Sequence, residues 1–226
     1  MLDRVAAEFE DDLAPAIQRV WKSEIEYVRA DLRGWIQQVA ASPPDWLPLH
    51  FEFAFGLAAS PHRDPHSTTE EATILNGTRL RGAIDLIEKH ATRDILRVTD
   101  HKTGKAPQNR PQYVGGGAIL QPLLYALAAE QLLGRPVESG SLFFCTQRGD
   151  FSTVSIPLDT QSRQRVARVL ETIEHSVETG FLPAAPQAGA CVICDYRPVC
   201  GPYEEQRSKR KQQDRLEPLI TIRNLP

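Results

Sequence analysis

The sequence predicts an α/β fold, with a mixed central sheet flanked by helices and a helical segment at the N-terminus. Three observations predict it. Strand-like runs alternate with helical patterns along the chain. Its 226 residues are enough to bury a substantial core as one unit. Two neighbouring apolar runs, separated by a short polar stretch, read as an antiparallel hairpin at the centre.

The elements follow in order. Residues Leu2 to Ala41 read as helix with an interruption near Pro15, and Trp21, Ile25, Val28, Leu32, Trp35 and Ile36 recur at three- and four-residue spacing as an apolar stripe. Ser42 to Pro48 is a Pro-rich turn. A first strand follows, Leu49 to Gly56, in which Phe51, Phe53 and Phe55 alternate onto a core face and Glu52 points away. Ala58 to Glu71 is polar and reads as a mobile loop. Thr78 to Ile87 is a strand, Glu88 to Asp94 a turn, and Ile95 to Lys102 a second, β-branched strand. A Pro/Gly-rich connection from Lys105 to Gly117 leads to a helix, Ala118 to Leu133, closed by Gly134 and Pro136. Ser141 to Pro157 is a hairpin turning at Arg148-Gly149-Asp150, and Thr160 to Thr179 an amphipathic helix ended by Gly180. The chain divides into a helical segment (1–44), a core (45–182), and a cysteine-bearing loop with a basic tail (183–226). No internal repeat is present.

The chemistry concentrates on the hairpin. Side chains alternate along a strand, so Asp100 and Lys102 share one face and His101 takes the other. An isolated pair of this kind is most often a solvated ion pair. At the end of a buried strand, however, both charges are costly to desolvate unless something uses them. A divalent metal and a phosphate would use both. The preceding strand carries Asp85, which the hairpin brings toward Asp100. Two close carboxylates repel and raise each other's pKa. A hard cation relieves this, and Mg²⁺ takes one or two carboxylates plus waters and phosphate oxygens. Lys102 then neutralises charge developing on the phosphate or positions the attacking water.

In order and spacing, Gly82-x-Ile84-Asp85, Asp100-x-Lys102-Thr103-Gly104 and Gln121-x-x-x-Tyr125 resemble the RecB-type branch of the PD-(D/E)XK nucleases. The resemblance covers roughly residues 45 to 205 and implies a restriction-endonuclease-like core. It implies that Asp85 and Asp100 are the metal-binding acids, for Mg²⁺ or Mn²⁺, and that Lys102 is the catalytic lysine. Gln121 and Tyr125, four apart on one helical face, match the helix motif that lies beside the DNA strand. Glu52 matches the upstream acid, which completes the metal shell or orients the water. The implied activity is Mg²⁺-dependent hydrolysis of DNA, single-stranded or at ends, in recombinational repair, with a helicase in the same protein or a partner. Two rival readings remain at this point: a non-cleaving DNA-end-binding scaffold, and an RNA-acting or phage-defence nuclease of the same fold.

Cys191, Cys194 and Cys200 form C-x2-C-x5-C among Pro183, Pro186, Gly189 and Pro198. Thiols so close together, in a chain with no charged-then-apolar leader, point to an iron–sulfur cluster or zinc rather than to disulfides. The placement resembles the iron–sulfur staple of AddB-like nucleases, which implies a [4Fe–4S] cluster whose fourth cysteine lies before the core. No cysteine precedes Cys145, so that ligand is expected on a longer parent protein. Cys145 itself reads as a small buried residue of a strand.

The remaining features bound the function. The net charge of −3 does not advertise nucleic-acid binding, but a local basic groove outweighs the sum. Arg79 and Arg81 flank the hairpin, and Arg207-Ser208-Lys209-Arg210-Lys211 is a basic cluster near the C-terminus. No apolar run spans a bilayer, so a cytoplasmic protein without membrane contact is expected. The six histidines show no ligand spacing, and no phosphate-binding helicase loop is present.

Overall fold

The computed structural model describes residues 1–41, 45–107, 113–181, 184–201 and 203–226. Part of the Pro-rich turn (42–44), the middle of the Pro/Gly connection (108–112) and Pro183 lie outside the described residues.

Helices α1 (Leu2–Leu13) and α2 (Gln18–Ala41) stand on either side of Pro15. Ala14, left-handed at φ 43°, closes α1, and the proline ring prevents its continuation. Neither helix buries a residue. The apolar stripe therefore stays largely at the surface, with Val28 and Ile36 exposed. Trp35 nevertheless meets the ring of His101 edge-on at 5.5 Å, and Asp31 Oδ1 accepts a hydrogen bond from the Gln147 amide at 2.8 Å.

Strand β1 (Trp46–Phe55) follows, then a two-stranded ribbon of β2 (Ala72–Thr73) and β3 (Arg79–Leu80). The central hairpin is β4 (Gly82–His90) and β5 (Leu96–Lys102). Glu88 to His90, read as a turn, extend β4 instead. The reason is cross-strand: Glu88 accepts two hydrogen bonds from the Arg97 guanidinium, at 2.6 and 2.8 Å, and this bidentate pair satisfies a buried carboxylate. Helix α3 (Gln121–Leu133) leads to β6 (Val137–Phe144), β7 (Thr153–Pro157) and α4 (Thr160–Glu178). The sheet order is β1-β4-β5-β6-β7. The β5–β6 pair is parallel and the others antiparallel, which gives the expected mixed sheet.

Helix α3 packs so closely over the sheet that a Cβ on Gly140 of β6 would stand 2.1 Å from the Pro122 carbonyl oxygen. That approach seals the core formed by Phe53, Phe55, Ile84, Ile87, Val98, Leu123 and Val166. Each such side chain stabilises the fold by about 1.5–3 kcal/mol. Short helices α5 (Arg197–Cys200) and α6 (Glu204–Lys209) precede α7 (Gln213–Arg223). The basic tail is not separate from the core. Ile222 enters the core cluster, and the Val114 and Gly116 amides donate to the carbonyls of Pro226 and Leu225 at 2.9 and 2.8 Å. Among the described residues no helix is long and apolar enough to cross a membrane.

Candidate active site

The antiparallel ladder between β4 and β5 has its last paired rung at Leu86↔Thr99. One further step sets Asp85 opposite Asp100, where the two strands have stopped pairing. Strand β5 stays anchored on its other side, because Asp100 and Lys102 pair in parallel with Leu142 and Phe144 of β6. The acids thus stand at an opening of the sheet with one wall held fixed.

Asp85 Oδ2 accepts the His101 backbone N–H at 2.7 Å, and His101 Nδ1 lies 3.6 Å away. Burial alone would raise its pKa; the hydrogen bonds of His101 and the charges of His101 and Lys102 outweigh this and hold the carboxyl below its ordinary range. Asp100 behaves in the opposite way. It is only 5% exposed, and burial, reinforced by the charge of Asp85, pushes its pKa up despite Lys102. The Lys102 ammonium is 2.6 Å from Asp100 Oδ2. This ion pair is what compensates the buried oxygen, which among the described residues makes no further hydrogen bond. A buried carboxylate compensated by one ammonium, with a second carboxylate on the same rung, fits a hard divalent cation.

Two residues position the lysine. Gln121, first residue of α3, accepts from Lys102 Nζ through Oε1 at 2.8 Å. Cys145 donates its backbone N–H to the Lys102 carbonyl at 3.0 Å, and its half-buried thiol lies 3.6 Å from the same oxygen. Tyr125 lies one turn along α3 and packs edge-on against Phe55 at 6.2 Å. A Cβ on Gly82 would sit 3.2 Å from its ring and hydroxyl. The glycine at the start of β4 therefore lets Tyr125 lie against the strand, which is the physical link between two of the sequence motifs.

Glu52 departs from the expected geometry. It lies on the rung of Asp85, between the pairs Phe51↔Leu86 and Phe53↔Ile84. Its backbone is left-handed, with φ 53°, at a cost of about 1–2 kcal/mol for a residue with a Cβ. This break disrupts the period-two alternation. Phe51 is exposed, whereas Phe53, Ala54 and Phe55 are all buried. Strain of this kind concentrates at functional sites. The Glu52 side chain is itself exposed, and among the described residues no third carboxylate, histidine or cysteine gathers with Asp85 and Asp100 within 4.8 Å.

The cysteines stand differently. Cys191 is buried, Cys194 exposed and Cys200 half-buried, all as free thiols. Among the described residues their sulfurs do not come within 4.8 Å of one another as a set. Their segment borders a concavity of about 840 Å³ lined by Cys191, Arg197, Tyr203, Glu204 and Glu205. Three thiols suit a cluster or zinc in chemistry, and a cluster interposes several atoms between its ligands where a single zinc draws them close. The histidines, expected to be scattered, include an exception: His50 and His66 converge on Asp64. Their positions in sequence conceal this, because a strand and a returning loop bring them together.

The family model of the PD-(D/E)XK nuclease superfamily matches residues 1–201. The CRISPR-associated exonuclease Cas4 of Aeropyrum pernix is 26% identical over 97 residues, which is 43% of this chain and 47% of that protein. The chain thus spans about half the length of the curated relative it matches.

Proposed function

The chain belongs to the PD-(D/E)XK nuclease superfamily, and from that membership we propose that it is a Mg²⁺-dependent deoxyribonuclease, acting as an exonuclease on single-stranded DNA or DNA ends. One observation carries the proposal: the buried Asp100 shares a rung with Asp85 and is paired with Lys102, which Gln121 holds in place.

Asp85 and Asp100 are the side chains that would hold the ion. A divalent metal, when bound, supplies charge for the phosphate and lowers the pKa of a water. Lys102 carries a positive charge to the phosphate oxygens and, held by Gln121 Oε1, cannot swing away from them. Asp85, with its depressed pKa, stays ionised. Asp100, with its raised pKa, becomes a ligand when the cation compensates its burial. Tyr125 and Gln121 line the path of the strand. Glu52, on the same rung as Asp85, orients water.

The assembled acids and lysine favour cleavage over a non-cleaving scaffold, in which nothing would require all three. A [4Fe–4S] cluster on Cys191, Cys194 and Cys200, with the fourth ligand outside these residues, a helicase partner and a role in recombinational repair complete the proposal. Cleavage of end-labelled single-stranded DNA and RNA, with Mg²⁺ or EDTA, tests it. DNA shortened only with Mg²⁺ is expected. Binding without cleavage would support the scaffold, and preferential RNA cleavage would move the substrate.

A further inference from the structure

A second donor set lies away from Asp85 and Asp100, on the outer edge of the sheet. The loop after β1 returns along that strand: the Thr68 amide donates to the Ala54 carbonyl at 2.9 Å, and the Asp64 amide to the Glu52 carbonyl at 3.3 Å. The loop expected to be mobile is thus tied down. Its return brings Asp64 Oδ1 to 3.2 Å from His50 Nδ1 and into hydrogen bonds with His66, at 2.8 Å from its amide and 3.1 Å from its Nδ1. The three ligand atoms lie within 4.8 Å of one another.

Two features separate this cluster from an ordinary hydrogen-bonded loop. His50 is only 8% exposed, and its buried Nδ1 has no aligned hydrogen bond despite the nearby carboxylate. A buried ring nitrogen left in that state is costly. It points into the space where His66 and Asp64 also present donors. The separations also match one ion: two donors each about 2.0–2.1 Å from zinc at a near-tetrahedral angle stand about 3.3 Å apart.

We propose that His50, Asp64 and His66 form a zinc-type site, separate from the catalytic rung, with a fourth position open to solvent beside the exposed His66. Two imidazoles and one carboxylate suit a borderline cation such as Zn²⁺, whereas hard Mg²⁺ prefers the all-oxygen environment of Asp85 and Asp100. Occupancy would fasten the loop to β1. Asp64 also accepts the Phe51 amide at 3.2 Å, so the fastened loop brackets the strained Glu52 from both sides.

The test is zinc stoichiometry by equilibrium dialysis on the 226-residue chain carrying Cys191→Ser, Cys194→Ser and Cys200→Ser, with and without His66→Ala. His66 is exposed, so that variant folds, and a metal-free melt checks it. The expected result is one zinc fewer per chain in His66→Ala. His50→Gln should show the same loss. Zinc at about a hundred times its Kd should raise the melting temperature of the His66-containing chain by roughly 5–10 °C, with no such rise in His66→Ala. An unchanged zinc count and melting shift in His66→Ala, or no zinc bound by the His66-containing chain, overturns the proposal.

Discussion

The catalytic rung and the cysteine segment are both sets of ligand side chains, and they are built in opposite ways. Asp85, Asp100 and Lys102 are brought together by strand register, and β6 and α3 hold them there. Their geometry exists before any metal arrives. Cys191 and Cys200 sit on short helical turns and Cys194 on extended chain just past the first, with one buried, one half-buried and one exposed, and among the described residues their sulfurs do not gather as a set. A site set by backbone register is pre-organised by folding itself. A site made of thiols on irregular chain draws its order from what the thiols bind.

The largest effect that could break this contrast is at the lysine. Lys102→Ala should lower cleavage by about 10²–10³-fold, as loss of a charge aimed at the transition state does, and should also lower the melt, because it leaves Asp100 buried without its counter-ion. A single-turnover assay reads it; activity within a few fold of wild type would end the role given to Lys102. Gln121→Ala should cost about 10-fold, in the range of a group that acts by orienting another. Its effect should shrink in the Lys102→Ala background, because part of it acts through the lysine, and the part that persists is its own contact with the strand. Full additivity would remove the positioning role given to Gln121.

Pre-organisation also has a cost in stability that can be measured. Asp100 has a folded pKa above its unfolded value, so its ionisation opposes folding: its contribution is best at low pH and declines as pH rises through the ordinary and then the raised pKa. Asp85 has a depressed folded pKa, so its contribution is present above the ordinary pKa and lost as pH falls through the depressed one. Asp100→Asn should therefore stabilise the metal-free protein at neutral pH by about 1 kcal/mol, a rise of roughly 2–4 °C, while abolishing cleavage. A destabilised Asp100→Asn would mean that the carboxylate is satisfied without metal.

A comparable effect is expected at Glu52. Glu52→Gly should be more stable than Glu52→Ala by about 1 kcal/mol, since glycine accepts φ 53° without a Cβ clash; denaturant melts of the two decide it. The smallest effect belongs to the other region. Without iron, replacing the exposed Cys194 by serine should change stability by no more than about 0.5 kcal/mol. A large loss would show that the segment is already organised by its own packing.

What was legible in the sequence divides along the same line. The hairpin could be read because its register is local: a short turn sets Asp85 against Asp100, and alternation places Lys102 beside the latter. The extension of β4 through Glu88 could not, because its cause is Arg97 on the next strand. The alternation read for Phe51, Phe53 and Phe55 failed at one residue, since nothing in a run of aromatics signals a left-handed Glu52. His50, Asp64 and His66 were invisible as a set because a returning loop joins them, not a spacing. The hydrogen bond from Lys102 to Gln121 became visible only once α3 was seated on Gly140.

A calorimetric Mg²⁺ titration of the wild-type chain, Lys102→Ala, the triple cysteine-to-serine variant and Asp100→Ala tests the register-built metal site most directly. Wild type and the cysteine variant should bind Mg²⁺ alike, Lys102→Ala should still bind it, without the repulsion of an ammonium 2.6 Å from Asp100 Oδ2, and Asp100→Ala should show no binding. Mg²⁺ bound by Asp100→Ala with wild-type affinity, or lost in the cysteine variant, would contradict a metal site built by the rung of Asp85 and Asp100.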